Sequence, residues 1–191
     1  MRNPIPAKKK KINVETAKLL LDAAAAEFNE RGYQHTDTNR IARRAGFAPQ
    51  TFYRWYQDKS AIFIEVYRQW QLAEAETLGG LLKANASSEV LVDACVDHHR
   101  ANLRFRRSLR QLSYDDPLIR KARAASRLMQ IEFIRSWNSA LSSPGAVAAA
   151  LLQLERLSDA LAEGEFEDMG LSDGEGRAAL ADIINKLRAR S

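Results

Sequence analysis

The chain lacks several features that whole classes of protein require. One of its 191 residues is a cysteine, Cys95, so no disulfide can form within the chain and a reducing compartment, the cytoplasm, is expected. No apolar run approaches the roughly 20 residues that a membrane-spanning helix needs. The start, "MRNPIPAKKKKINVE", has no apolar block after its charges, so a secretory signal is not expected.

Signals of enzymatic chemistry are also sparse. The sequence contains no GxxxxGK[ST] phosphate loop and no HExxH zinc motif. Cys95 and His99 have a spacing that would suit a metal, but three histidines and one cysteine offer no further ligand pattern. We therefore expect a protein that is not an enzyme and that holds neither a metal nor a cofactor.

Strand signals are weak and helix signals are strong. Val and Ile are sparse, Ala and Leu are abundant, and apolar residues recur at steps of three and four. This pattern predicts an all-α fold.

Basic residues are concentrated at the start of the chain. Residues 1–60 hold 12 Lys and Arg against 6 Asp and Glu, whereas the rest of the chain holds 17 against 18. A basic unit beside a near-neutral remainder indicates a polyanionic partner, most often nucleic acid. The alternative is a solvated basic tail, because Lys8–Lys11 alone supply much of the excess.

Capping and stop residues delimit the first helix and its flanks. Residues 1–12 are expected to be a disordered basic tail, and Asn13 predicts the cap of a helix that ends before Gly32. Thr36 predicts the cap of a second helix, which runs to Ala45.

The following helices are delimited in the same way. Pro49 fits the first turn of a third short helix, which ends near Trp55, and Asp58 caps a fourth. Apolar periodicity then predicts helices near 86–112, 116–141, 146–163 and 174–189.

Two short helices on either side of Gly46 predict a helix-turn-helix. Glycine supplies the positive φ that so tight a turn tends to need, and apolar residues such as Ile41 and Phe52 hold the two helices together. The outward residues suit a DNA major groove, because Gln and Arg read bases and Thr and Tyr bind phosphate. They are Gln50, Thr51, Tyr53, Arg54 and Trp55, with Lys59 placed to clamp the backbone. For the aromatic residues the alternative is core packing.

Residues 16–63 resemble the N-terminal domain of TetR-family transcriptional regulators. The resemblance is carried by "LLLDAAAAEFNERGY" (19–33), by Thr36 followed by "RIARRAGF" (40–47), and by "TFYRWYQDKSAIF" (51–63). These segments match an Ala-rich first helix that ends at a Gly–aromatic pair, then Ile-Ala and Ala-Gly, then Thr, Tyr, an aromatic and Lys. The matching part is about a quarter of the chain.

The resemblance implies a three-helix DNA-binding domain, residues 13–58, and a helical ligand-binding and dimerisation domain, residues 59–191. It implies contacts with phosphate or base by Thr38, Asn39, Gln50, Thr51, Tyr53 and Trp55, and phosphate binding by Lys59. Arg54 lies outside the common pattern, so it is a candidate only because arginine can bind guanine or phosphate. Two departures are Thr38, where an apolar residue is frequent, and Ala48, which replaces the usual Ser or Thr cap.

A stripe in the middle of the chain predicts a ligand pocket. Its steps of three and four place it on one helix face, where His98 and Asn102 can supply hydrogen bonds among apolar walls. The candidate pocket residues are Leu91, Cys95, His98, Asn102 and Phe105, with Trp70, Tyr114, Met129, Phe133 and Trp137 facing them. The resemblance also implies a cavity among these helices. The alternative is an ordinary core with a hydrogen-bonded histidine.

The segment Arg100–Arg135 is rich in arginine, with ten basic and three acidic residues. Such a segment would suit an anionic ligand, but the commoner structure is a solvated or salt-bridged face, which is the interpretation we adopt.

The last two predicted helices carry apolar stripes too wide for one shared seam. In the TetR family such a pair meets its copy in a four-helix dimer interface, and a dimer reads two half-sites of DNA. The expected interface residues are Leu151, Leu154, Leu157, Leu161, Leu180, Ile184 and Leu187. The alternative is that these residues form core within one subunit.

Together these features predict an all-α protein with an N-terminal helix-turn-helix domain and a C-terminal helical domain. The expected function is that of a homodimeric repressor, which binds a palindromic operator in double-stranded DNA and is released by a small molecule of unknown identity. One alternative is a DNA-organising or activator protein of the same fold without an inducer. Another is a helical enzyme or binding module whose N-terminal unit contacts protein.

Overall fold

Helices make up most of the described chain. The computed structural model describes residues 7–138, 140–141 and 143–188, and these contain no strand. The helices are α1 Ala7–Arg31, α2 Thr38–Arg44, α3 Pro49–Phe52, α4 Lys59–Lys83, α5 Ser88–Ala101, α6 Leu103–Asp115, α7 Pro117–Trp137, α8 Pro144–Glu163, α9 Glu165–Asp168 and α10 Gly174–Arg188. The predicted all-α class is confirmed, with a helix-turn-helix near the N-terminus and helices throughout the remainder.

The chain divides into two compact units, residues 1–69 and 70–191, so the division falls inside α4. We expected a boundary at 58/59, which is instead the point where α4 begins. The first turns of α4 belong with the N-terminal unit because Phe63 packs edge-on against Phe28 and Tyr33, at ring-centroid distances of 5.0 and 5.1 Å. Aromatic packing of this kind is favourable beyond the area it buries.

The first helix begins earlier than its predicted cap. It starts at Ala7, so the expected disordered tail is wrong for residues 7–12, and residues 1–6 lie outside the described residues. No Gly or Pro interrupts the chain between Ala7 and Arg31, and Ala and Lys lose little side-chain freedom in a helix.

The second unit has its main core where α5, α8 and α10 meet. Its buried residues are Leu91, Val92, Cys95, Val96, Leu161, Ala162, Leu180 and Ile184. A smaller apolar cluster joins α7, α8 and α10 through Ile131, Val147, Leu151 and Leu187.

One predicted helix is two helices in the structure. The span 86–112 is interrupted at Asn102, whose φ of −119° and ψ of 25° are not helical. The Asn102 side-chain amide donates to the carbonyl of His98 at 3.0 Å, and Asn side chains often compete in this way with the helical hydrogen-bond pattern. None of the helices in the described ranges is long and apolar enough to cross a membrane.

Candidate nucleic-acid interface and internal cavity

The start of α2 is set by Asp37. Its carboxylate accepts a hydrogen bond from the backbone N–H of Arg40 at 2.8 Å, which is N-cap geometry. The predicted cap, Thr36, is wrong by one residue. Its buried hydroxyl instead donates to the carbonyl of Gly32 at 2.9 Å and closes the end of α1.

The turn between α2 and α3 depends on Gly46. Its φ is 80°, and its N–H donates to the carbonyl of Arg43 at 3.0 Å while the N–H of Phe47 donates to Ala42 at 2.9 Å. These two hydrogen bonds end α2. Gly46 has the left-handed backbone conformation, which residues with an L side chain rarely adopt. Pro49 then occupies the first turn of α3, as predicted.

The side chains around this turn form an exposed polar and aromatic surface, which we call the α2–α3 surface. Among its members, Tyr53 is 59% exposed. Asn39, Gln50 and Arg54 are also exposed, while Thr38, Thr51 and Trp55 are half-buried. Phe52, between them in sequence, is fully buried and anchors α3 to the core. The expected outward and inward residues are thus separated as a helix-turn-helix requires.

A direct hydrogen bond links the two helices across this surface. The hydroxyls of Thr38 and Tyr53 lie 2.9 Å apart. Phe52 supports the Tyr53 ring edge-on at 5.4 Å. Thr38 therefore contributes a contact that the apolar residue frequent at its position would not make, and it orients the exposed tyrosine.

Lys59 is more constrained than a free phosphate clamp. Its ammonium donates to the carbonyls of Tyr33 and Thr36, both at 2.9 Å, and lies 3.9 Å from the centre of the Tyr33 ring. Burial lowers the pKa of Lys59 below its usual value, and nearby Asp37 partly opposes this. Its first role is to hold the end of α1 against the start of α4, which leaves one N–H for another partner.

Two ion pairs that the sequence analysis did not predict hold α2 against α1. The Arg44 guanidinium donates to buried Glu27 at 3.1 Å and to Glu30 at 2.7 Å. These hydrogen bonds raise the pKa of Arg44 and lower that of Glu30. The spacing of Glu27 and Glu30 on one helix face was the available signal.

The second unit contains a cavity of about 600 Å³. Its apolar walls come from five helices, and include Leu78, Leu91, Phe133, Trp137, Leu154 and Ile184. This volume falls within the usual range for small-molecule sites, which are mostly apolar with a few polar groups. The cavity therefore has the size and lining of a ligand site.

The predicted pocket residues divide into two groups. Leu91, Cys95, Phe133 and Trp137 line the cavity. The remaining six do not line this cavity: Trp70, His98, Asn102, Phe105, Tyr114 and Met129. The break at Asn102 is one reason, because it ends the face that the stripe assumed to be continuous.

The residues that do not line the cavity have other surroundings. The rings of Trp70 and His98 pack at a tilt of 30° with centroids 4.6 Å apart, and Phe105 is buried in the core. Tyr114 and Met129 are exposed, with 81% and 61% of their surface accessible. Burial raises the pKa of the Cys95 thiol to about 12, so this cavity residue is a neutral thiol.

Comparison with known proteins matches the helix-turn-helix segment to a family. Residues 20–66 match the model of bacterial regulatory proteins of the tetR family. The helix-turn-helix unit of this chain is therefore of the tetR-family type. Proteins of this family bind DNA and are not enzymes.

One curated relative is the uncharacterised helix-turn-helix regulator YdgC of Bacillus subtilis, 38% identical over 72 residues. This alignment covers 38% of the present chain and 37% of YdgC, so the chain matches about a third of that relative's length.

Solved structures match the fold over nearly the whole chain. A regulator assigned to the TetR family from Rhodococcus sp. aligns with a TM-score of 0.67 and 17% identity, over 92% of this chain and 100% of that one. A transcriptional regulator from Saccharomonospora viridis in complex with choline aligns with a TM-score of 0.63 and 17% identity, over 90% and 96%. At such identities the likeness shows the fold that this chain shares with them.

One hydrolase-like pattern is accidental. The segment Gly170–Gly174, "GLSDG", has the GxSxG spacing of a nucleophile elbow, which requires a strand before the serine and a helix after it. In the regulator the segment follows the short helix α9, and Ser172 is exposed in a loop. The required context is therefore missing.

The arginine-rich segment is salt-bridged in the structure. Arg106, 3% exposed, donates to the carboxylate of Asp159, and Arg110 reaches the same residue at 3.1 Å. Arg123 and Arg127 both bind Glu155 on the same helix, α8. Burial by itself raises the pKa of Glu155, but the two arginines outweigh burial, so the pKa lies below its usual value. The predicted salt-bridged face is confirmed for these arginines, although Arg106 lies in the interior.

The residues expected to form the dimer interface are instead inside the subunit. Leu161 and Leu180 belong to the α5–α8–α10 core, and Leu157 packs against it. Leu151, Leu154, Ile184 and Leu187 line the cavity. Packing of α5 and α7 on the apolar stripes of α8 and α10 favours the alternative, that these residues form core within one subunit.

Proposed function

We propose that this regulator is a homodimeric, cytoplasmic repressor, which binds a palindromic operator and is released by a small molecule. The observation that carries the DNA-binding part is the α2–α3 surface. The two helices are joined by the turn at Gly46 and anchored by buried Phe52. Asn39 on α2, Gln50 on α3, and Tyr53 and Arg54 directly after α3 are all exposed. We assign the base and phosphate contacts to these residues with Thr38, Thr51 and Trp55, and one phosphate contact to the remaining N–H of Lys59.

A dimer requires an outward face, and α8 and α10 have one. Leu152, 47% exposed, lies on α8 near exposed Ala149 and Arg156, and α10 presents Ala178 and Ala179. Small residues allow two helices to approach closely, and a half-exposed leucine gains by being covered. This outward face replaces the buried leucines as the proposed interface, and domains 13–58 and 59–191 keep their proposed roles.

The cavity supports the small-molecule part of the proposal. A DNA-organising protein without an inducer has no need of a largely apolar space of about 600 Å³. The regulator from Saccharomonospora viridis was crystallised with a small molecule, which supports an effector site in this architecture. An effector can release DNA if it binds the released state more tightly than the DNA-bound state.

The DNA-binding proposal is tested with variants of the α2–α3 surface. Operator DNA is first selected from a random library with the wild-type protein. We expect Thr51→Ala and Tyr53→Ala each to weaken binding by roughly tenfold, because a lost specific contact costs about 1–3 kcal/mol. Affinity is measured by fluorescence anisotropy at fixed salt, since phosphate contacts make it salt-dependent.

The chain offers matched controls for both changes. Tyr114→Ala removes another exposed tyrosine and Thr77→Ala another exposed threonine, both in the second unit. These controls should bind the operator as the wild type does. Unchanged operator affinity in both Thr51→Ala and Tyr53→Ala would reject the assigned surface.

A further inference from the structure

One acidic side chain reaches the cavity from α4. Glu74 is 8% exposed and lines the cavity near Gln71 and Cys95. Its Oε2 accepts a hydrogen bond from the Gln71 amide at 3.3 Å. The Gln71 carbonyl oxygen in turn accepts from Ser126 at 2.6 Å and from Gln130 at 2.7 Å, so the amide is held in position.

Glu74 differs from buried Asp159 and from half-buried Glu155 and Glu163 on α8. Glu155, Asp159 and Glu163 are each bound by at least two arginines. Across the described residues, no Lys or Arg nitrogen lies within 4.0 Å of the Glu74 carboxylate. A buried carboxylate without a cationic partner lowers the stability of the fold. Its presence therefore indicates a function, such as binding a ligand.

The nearest basic group is a histidine that is already engaged. His99 Nε2 lies 3.7 Å from Glu74 Oε1, beyond hydrogen-bonding distance, while His99 Nδ1 lies 3.0 Å from Asp159. Asp159 is also bound by Arg106 and Arg110. The imidazole therefore belongs to the Asp159 cluster and leaves the cavity side of Glu74 open.

The negative charge of Glu74 affects the pKa of neighbouring groups. Burial is the main cause of the raised pKa of Cys95, and the Glu74 charge raises it further. Burial lowers the pKa of His98, and the same charge opposes that change. The part of the cavity beside Glu74 is thus a place where a positive group is stabilised.

The one cationic side chain in the described cavity lining is poorly placed to bind an anion. Arg188 is half-buried, and its guanidinium already donates to the carbonyl of Ala86 at 2.7 Å. Solvent screens a partly exposed charge much more than a buried one. The stronger electrostatic preference of the cavity is therefore set by Glu74.

The remaining lining fits an apolar body and a cationic head. Leu78, Leu91, Leu154 and Ile184 provide aliphatic walls. Phe133 and Trp137 lie together with ring centroids 6.0 Å apart, and aromatic faces attract ammonium groups.

We propose that the cavity binds an organic monocation, an amine or quaternary ammonium with an apolar body, and that Glu74 is its counter-ion. This rests on the proposed function in taking the cavity as the effector site. The net charge of the protein is +5, which by itself favours anions. A preference for cations would therefore have to come from the site.

The test uses three probes with the same alkyl chain: decyltrimethylammonium, 1-decanol and decanoate. Binding to the full-length protein is measured by titration calorimetry at concentrations below micelle formation. We expect the cation to bind more tightly than the alcohol and the alcohol more tightly than the carboxylate. In Glu74→Gln the cation should bind roughly tenfold more weakly or worse, because the negative charge that attracts it is removed. The alcohol should bind equally well.

Glu76→Gln is the matched control, since Glu76 is an exposed acid on the same helix. It should leave all three affinities unchanged. Glu74→Gln removes a charge without an arginine partner and keeps the side-chain shape, so it should remain folded, which circular dichroism checks. The proposal is overturned if the cation does not bind, if it binds no better than the alcohol, or if Glu74→Gln keeps the preference.

A separate measurement distinguishes this proposal from the proposed function. Operator affinity is measured without probes and then with saturating cation. Operator binding without the expected charge preference would reject the cation site alone. A cation that binds through Glu74 without weakening operator binding would reject the effector role and leave the site itself supported.

Discussion

At the residue scale, Asp159 is buried where several basic side chains converge. Its carboxylate is contacted by Arg106, Arg110 and His99. Burial by itself raises the pKa of Asp159, but the His99 and Arg106 contacts outweigh it and hold the pKa well below the usual value. Arg106 is almost fully buried as well, so each charge depends on the other being present.

We expect Asp159→Asn to lower the free energy of unfolding at neutral pH by about 3–5 kcal/mol, because it removes the nearest counter-ion of buried Arg106 and leaves only the longer contact with Glu155, at 3.6 Å. Chemical denaturation followed by circular dichroism measures this change. Asp97→Asn is the control. The Asp97 carboxylate is exposed and bound by Arg100 at 3.2 Å, so its loss should cost less than about 1 kcal/mol.

The same variant has a pH signature. The pKa of Asp159 is lower in the folded than in the unfolded state, so its contribution to stability is complete above the unfolded pKa of about 3.9 and is lost as pH falls through the folded pKa. Unfolding free energy should therefore decline below about pH 4 more steeply in the wild type than in Asp159→Asn. Parallel acid profiles would contradict the role given to Asp159.

At the scale of elements, the contact of α10 with α8 and α9 depends on a glycine. Gly176 is buried in the first turn of α10. A Cβ there would lie 2.6 Å from Cζ of Phe166 and 3.2 Å from Cδ2 of Leu161. Phe166 itself packs against the α5–α8–α10 core, so the close approach of these helices excludes a larger residue.

We expect Gly176→Ala to destabilise the protein by about 1–3 kcal/mol through overpacking, less the gain of up to about 1 kcal/mol in helix propensity. Gly174→Ala is the matched change in the same turn. The nearest atom to a Cβ at Gly174 is Oγ of Ser172 at 3.7 Å, so this variant should be neutral or stabilising. Thermal unfolding of both compares them, and equal melting temperatures would contradict the packing argument.

At the scale of the whole molecule, the proposed dimer depends on residues left exposed after the subunit core is formed. Leu152→Glu should shift the monomer–dimer equilibrium toward monomer by roughly tenfold or more, because it would place an unpaired charge in the interface. Sedimentation velocity over a concentration series measures this shift. Operator affinity should fall with it, since one subunit reads one half-site.

Leu118→Glu is the control for the dimer prediction. Leu118 is 63% exposed at the start of α7, outside the proposed face. It should sediment as the wild type does. A Leu152→Glu protein that remains dimeric would place the interface elsewhere.

The amino-acid sequence by itself determined the features that depend on local chemistry. Gly46, Pro49 and Asp58 mark turns and helix starts through backbone conformation and capping, and these predictions are confirmed. The alternation of buried Phe52 with exposed Tyr53 also follows from helical periodicity. The family resemblance rests on the same local pattern, which is why a quarter of the chain was enough to recognise it.

The tertiary structure alone decided which partners the long side chains and apolar stripes meet. Leu151 and Ile184 have the periodicity of an interface, but their contacts with the cavity and core come from helices distant in sequence. Nothing in the local sequence distinguishes Glu74 from the acids on α8. Whether a buried acid meets an arginine depends on how α4 to α8 pack, so the candidate effector site became visible only in the folded chain.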